Sequence, residues 1–99
     1  MTNHEATIRV TDNPSAHRFE IWSDSTLAGM AFYRLVPGKI VFRHTEVDPA
    51  FEGKGLGTRL ATFALDTARE RGLEVVPLCP FIAGYIESHP DYADLVAAG

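Results

Sequence analysis

The chain has 99 residues, a formal charge of −4 and 45% hydrophobic residues, 10% of the chain being aromatic. That length holds one domain, read as residues 1–99 with a core over about 6–96, and the apolar content suffices for a core without covalent staples. The acidic balance, with a pI of about 5.4, argues against general nucleic-acid binding, which relies on a basic footprint. The single Cys excludes an internal disulfide and a Cys-based metal site and fits a reducing compartment. The start, Met1-Thr2-Asn3-His4-Glu5, has neither a basic n-region nor an apolar h-region. No apolar run approaches the ~20 residues of a membrane helix. The expectation is a cytoplasmic domain with no membrane or nucleic-acid partner.

In chain order, Ala6 to Thr11 alternates with Ile8 and Val10 on one face, which reads as a half-buried strand. Asp12-Asn13-Pro14-Ser15 is turn chemistry. His17 to Trp22 alternates again, with Phe19 and Ile21 inward. Ser23 to Thr26 turns the chain into a longer strand, Leu27 to Val36. Met30 and Phe32 share one of its faces, Ala31, Tyr33 and Leu35 the other. Gly29 inside it marks a bulge or a close backbone approach. Pro37-Gly38 suits a type II turn, whose twist is poor for a two-residue hairpin, so a longer loop is expected. Lys39 to Val47 is the fourth strand. Its alternation puts Ile40, Phe42, His44 and Glu46 on one face, and a bulge would swap the later assignments.

Leu56, Leu60, Phe63, Ala64, Thr67 and Ala68 then recur at helical spacing, with Arg59, Thr62, Asp66, Arg69 and Glu70 opposite. Gly72 is a good residue just past the helix end. Leu73 to Leu78 is a short apolar strand. A strand, a helix and a strand in this space imply a crossover and a parallel pair. Pro77 implies that this strand loses pairing near its end. Pro80 opens a short helix over Phe81 to Glu87, and Ser88-His89-Pro90 breaks it. The fold class is therefore α+β: a mixed sheet of four antiparallel strands, a helix, a parallel fifth strand and a short helix.

Between the fourth strand and the long helix lies Glu52-Gly53-Lys54-Gly55-Leu56-Gly57-Thr58. Gly takes φ > 0 and lets a ligand reach the backbone with no Cβ in the way. The first N–H groups of a helix have no internal partner, and the dipole there favours anions. Such a turn reads as a phosphate cradle; a flexible loop before a helix is the plainer alternative. The glycines do not fit G-x-G-x-x-G, because Thr58 holds the last position, and G-x-x-x-x-G-K-[ST] is absent. A mononucleotide-binding domain is thus disfavoured.

The run His44-Thr45-Glu46-Val47-Asp48-Pro49, followed by Phe51-Glu52-Gly53-Lys54-Gly55-Leu56-Gly57, resembles the GNAT superfamily of acyl-CoA-dependent N-acetyltransferases. Val76-Pro77-Leu78-Cys79-Pro80-Phe81, with Tyr85 and His89-Pro90-Asp91-Tyr92, looks like its small, YjdJ-type branch. In the superfamily's loop pattern Gly55 and Gly57 match the glycines, and Glu52 stands where Arg or Gln is usual. The resemblance implies acetyl-CoA as acyl donor, with N–H groups between Gly53 and Thr58, Leu56 included, on the coenzyme A pyrophosphate. It implies that the backbone around Thr45 to Val47 faces the pantetheine arm and that the fourth and fifth strands splay around the thioester. Lys54 and Arg59 either add charge near the phosphates or are solvated cations. Typical members carry helices after the first strand, where this chain has only a turn. The acceptor cleft is then open, or completed by a partner chain, and the state is a monomer or homodimer.

Acyl transfer to an amine requires a neutral amine, a stabilised carbonyl oxygen and a leaving thiolate. Glu46 is the first general-base candidate, against a rim carboxylate. His44 is a proton relay or a hydrogen-bonded core histidine. Cys79 is a nucleophile, a contact to the leaving sulfur, or an inert buried thiol. Tyr85, four residues after Phe81, shares its helix face; the resemblance implies a place near the sulfur, and a packing tyrosine is the alternative. His4, His17 and His89 have no ligand-like spacing, so no metal is expected. The leading function is N-acetyl transfer to an amine of a small molecule or an exposed protein or peptide. The alternative is a weakly catalytic or non-catalytic acetyl-CoA-binding module acting as a sensor or interaction protein.

Overall fold

The computed structural model describes residues 5–98. The reading of Met1 to His4 therefore lies outside the described residues. Strands β1 (Ile8–Asn13), β2 (Arg18–Ser23), β3 (Thr26–Val36) and β4 (Lys39–Val47) precede helix α1 (Leu56–Glu70), strand β5 (Glu74–Pro77) and helix α2 (Pro80–Ser88). Short 3-10 turns occupy Pro14–Ala16, Pro49–Phe51 and Pro90–Leu95. Each opens on Pro, whose missing N–H costs nothing at the start of a helical turn. The sheet runs β1-β2-β3-β4-β5, with the first four strands antiparallel and β5 parallel to β4. This is the α+β arrangement expected from the sequence.

Two local expectations need correction. The β3–β4 hairpin closes through Pro37 and Gly38 alone, since Val36 pairs with Lys39. Gly38 at φ 74 makes the reversal that Pro37 cannot, and its carbonyl accepts the Glu74 N–H at 3.0 Å. The second correction concerns β4. Tyr33 pairs with Phe42 but Phe32 pairs with His44, so Arg43 is an extra residue. This bulge reverses the alternation. Thr45 and Val47 follow Phe42 onto the face of the core, and His44 and Glu46 move to the opposite face. Gly29 shows why a glycine is needed in β3: a Cβ there would lie 2.7 Å from the Glu46 carbonyl oxygen.

Helices α1 and α2 pack side by side on one face of the sheet. Leu56, Leu60, Ala61, Ala64, Leu65 and Ala68 of α1 meet Phe19, Ile21, Ala31, Tyr33, Ile40 and Phe42 of the sheet, and Ile82 and Ile86 of α2 join them. Each large apolar side chain buried here contributes about 1.5–3 kcal/mol. Phe63, expected in the core, lies at its margin with its ring edge-on to Phe19 at 5.9 Å. Leu35 is 52% exposed, because β2 begins only opposite Phe32 and β3 beyond it lacks that neighbour. Helix α1 stops at Gly72, φ 68. The Leu73 N–H donates to the Ala68 carbonyl at 2.9 Å and the Gly72 N–H to Arg69 at 3.1 Å, the paired bonds of a Schellman end. Arg69 then holds both Asp94 oxygens at 2.8 and 2.9 Å and fixes the last 3-10 turn on α1. That turn delivers Val96 and Ala97 to the free edge of β5, where the Ala97 N–H donates to Val75 at 2.8 Å.

The other face of the sheet carries Arg18, Glu20, Trp22, Met30, Phe32, His44 and Glu46, and among the described residues no helix covers it. Glu20 is buried there at 5% exposure. Its carboxylate accepts from Arg18 Nε at 2.7 Å and Asn13 Nδ2 at 3.0 Å. Burial alone would raise its pKa, but the bonds from Asn13 and Arg18 outweigh it and hold the carboxyl below its ordinary value.

Candidate functional site

The glycine loop lies between β4 and α1. Gly53 and Gly55 take φ of 80 and 72, and the space where a Cβ would point is open at both. Gly55 is the residue before the first helical turn and offers no side-chain cap. The first internal α1 bond is from the Arg59 N–H to the Gly55 carbonyl. Among the described residues, no backbone N–H from Gly53 to Thr58 donates to a protein acceptor. A run of unsatisfied amides at a helix N-terminus is matched to an anion with several acceptor oxygens. Lys54 and Arg59 flank the run. Lys54 Nζ sits 5.6 Å from the Phe51 ring centre, and neither cation pairs with a carboxylate among the described residues. Gly57 is needed for a different reason, since a Cβ there would come within 2.9 Å of Phe81 Cζ and 3.5 Å of Val47 Cγ2. It lets α1 approach α2 and β4.

Beside the loop, β4 and β5 part company. Their pairing runs from Lys39 with Glu74 to Phe42 with Pro77, and Pro77 has no N–H to continue a ladder. The last link is the Cys79 N–H to the Phe42 carbonyl at 3.0 Å. Strand β4 continues to Val47 with β3 on one side only. At the apex of this gap Thr45 Oγ1 and Cys79 Sγ are 3.2 Å apart. Cys79 is 2% exposed and stands at the N-terminus of α2, two residues past the end of β5. Val47, Leu56, Gly57 and Phe81 carry the gap on to the glycine loop in one groove. Leu78 and Phe81, 67% and 42% exposed, form an apolar lip.

His44 and Glu46 reach the same strand end from the outer face. His44 Nε2 and Glu46 Oε1 are 3.1 Å apart, with 60% and 54% of their side chains exposed. His44 also stacks on Phe32 at 6.3 Å. Two outer grooves meet at His44, one bounded by Met30, Glu46 and Asp48, the other by Phe32 and Arg43. Tyr85 sits apart from this pair. Its hydroxyl is 2.6 Å from Thr62 Oγ1, which itself donates to the Thr58 carbonyl at 2.9 Å. Its ring stacks on His89 at 3.9 Å. The sequence reading placed Thr62 on the solvent side of the helix and did not connect it to Tyr85. It also gave Phe81 no part in the groove. The pairing of Gly57 with a large residue at the start of α2 was the available signal for the latter. Among the described residues, no three His, Cys, Asp or Glu side chains are grouped to hold a metal ion, and no helix is long and apolar enough to cross a membrane.

This geometry has relatives. The chain is 37% identical over 59 residues to Protein NATD1 of chicken and of mouse, covering 59% of this chain and 54% of each relative. It thus spans about half the length of the curated relatives it matches. Among solved structures, a GCN5-like candidate N-acetyltransferase from Staphylococcus aureus superposes with a TM-score of 0.70 at 25% identity, over 92% of this chain and 89% of that one. A ribosomal-protein-alanine N-acetyltransferase from Brucella melitensis gives a TM-score of 0.58 at 17% identity, over 97% and 94%, a likeness of fold alone. The family model for GCN5-related N-acetyltransferases matches residues 18–95. With its mixed sheet, glycine loop and parted β4 and β5, the chain belongs to the GCN5-related N-acetyltransferase family.

Proposed function

We propose that this chain transfers an acetyl group from acetyl-CoA to an amine. The observation that carries the reading is the run of unpartnered amides from Gly53 to Thr58, opening onto the gap between β4 and β5. Acetyl-CoA would supply the activated thioester. The backbone N–H groups of Gly53, Lys54, Gly55, Leu56, Gly57 and Thr58 bind its diphosphate, and Lys54 and Arg59 add charge. Thr45 and Val47 line the channel for the pantetheine arm, on the side of β4 that β5 has left. Glu46, with His44 at 3.1 Å, takes the proton from the attacking amine. Cys79 and Thr45, 3.2 Å apart, bracket the sulfur. Tyr85 positions α1 against α2: its O–H is directed at Thr62, whose own proton goes to Thr58.

A weakly catalytic acetyl-CoA-binding module is the second reading, favoured by the exposure of Glu46 and His44, which leaves the base in water. Thiol release from acetyl-CoA with a panel of amines separates the two. Amine-dependent release, reduced ~10²-fold or more in Glu46→Gln, is the expected result. Coenzyme binding with no release for any amine would contradict the enzymatic reading. Intact mass after incubation distinguishes direct attack, with no adduct, from an acetyl-Cys79 step.

A further inference from the structure

On the outer face, a groove of about 550 Å³ lies between the start of β2 and the bulge of β4, lined by His17, Phe32, Tyr33, Arg34, Arg43 and His44. Two backbone irregularities shape it. His17 takes φ 54 as the chain enters β2, and Arg43 is the extra residue of the bulge. None of its lining side chains is a carboxylate. Arg34 and Arg43 are exposed and, among the described residues, pair with no Asp or Glu. By contrast Arg18, Arg69 and Arg71 are each paired, to Glu20, Asp94 and Asp12. In a chain of net charge −4, this is a local concentration of free guanidinium groups over an aromatic floor.

The groove also adjoins the gap. Phe42, whose carbonyl holds Cys79, immediately precedes Arg43. A second groove meets it at His44 and is lined by Thr45, Glu46 and Val47, with Thr45 at the apex of the gap. A short molecule can therefore reach from the groove to the apex, past His44 and Glu46. We propose that this groove selects the acceptor: a small amine that carries its own anionic group, a carboxylate or a phosphate. Arg34 and Arg43 bind the anion, Phe32 packs the carbon skeleton, and the amine is left facing the gap. Guanidinium forks suit both anions. A second cationic end, as in a polyamine, is disfavoured there. The inference rests on the proposed acetyl transfer and specifies its acceptor.

Matched amine pairs test it. An amino acid is compared with its carboxamide, an aminoalkyl phosphate with the corresponding amino alcohol, and both with a linear diamine. The anionic member of at least one pair is expected to have a kcat/KM ~10- to 100-fold higher. The pair that shows it identifies carboxylate or phosphate. Arg34→Gln with Arg43→Gln is expected to abolish the difference while leaving the KM for acetyl-CoA unchanged. Equal or better use of the neutral amines or the diamine, a preference that survives both substitutions, or a raised acetyl-CoA KM would each overturn the assignment. An amide-resonance titration with the same carboxylate and phosphate, without acetyl-CoA, reads binding independently of turnover. Shifts centred on His17, Phe32, Arg34, Arg43 and His44 support the groove even if no amine is acetylated, in which case the enzymatic reading alone fails. No shift there with either anion overturns the groove.

Discussion

On the helix-backed face of the sheet, Phe19, Ile21, Ala31, Ile40 and Phe42 are at most 1% exposed; on the other face Glu20 alone is buried among the described residues, and His44 and Glu46 are more than half exposed. The first face is held by apolar area, which is non-directional and tolerant of repacking. The second is held by directed contacts running across the strands: Asn13 and Arg18 on Glu20, Arg18 over Phe32 at 5.7 Å, Phe32 on His44, and His44 on Glu46. Strand β4 serves both. Before Arg43 its inward residues build the core, and after it Thr45 and Val47 line the gap while His44 and Glu46 look outward. The inserted residue decides which residues take which side: with strict alternation and Arg43 in the ladder, His44 and Glu46 would share the face of Phe42.

Shifting the alternation beyond that residue should have the largest effect. Inserting one alanine between Arg43 and His44 shifts every later residue of β4 to the opposite face, which turns His44 and Glu46 toward the core, with a cost of ~3–5 kcal/mol for an uncompensated buried charge. In a domain of this size that lowers Tm by well over 10 °C. An unchanged melting curve would mean that the bulge does not separate the faces. Glu20 probes the polar face more gently. Its folded pKa is lowered from 4.5. Its contribution is therefore fully present above that value and lost as pH falls through the lower, folded value. Glu20→Gln should cost about 1 kcal/mol at pH 7. The variant and wild-type stabilities should converge as pH drops below about 4.5. Parallel curves down to acid would show that the Glu20 charge does not hold the polar face together.

The strands, the long helix and the parallel crossover were legible because hydrophobic period and turn residues agree in each. The turn into the long helix was legible because closely spaced glycines precede a periodic segment; Gly53 and Gly55 take positive φ there, and Gly57 makes room for Phe81. The side of β4 on which Glu46 points was not. A bulge adds a residue without changing composition, and only the partner strand reveals it, through Phe32 pairing with His44 rather than Arg43. The Thr62–Tyr85 bond was equally hidden, because it joins residues 23 apart on two helices. Pro37-Gly38 misled for a local reason: turn statistics favour other dipeptides in tight hairpins, but a glycine at positive φ suffices here.

The central claim is that bare amides from Gly53 to Thr58 receive the coenzyme. It is tested most directly by following backbone amide resonances during an acetyl-CoA titration of the wild type and of Gly55→Val. Gly55 crowds nothing, so the substitution acts through its φ of 72, a strain of ~1–2 kcal/mol that leaves the fold standing. The account predicts saturable shifts concentrated at residues 53–58 and along Thr45 to Val47 in the wild type, and their loss in the variant. Shifts elsewhere with residues 53–58 silent, or a variant that titrates like the wild type, would contradict it.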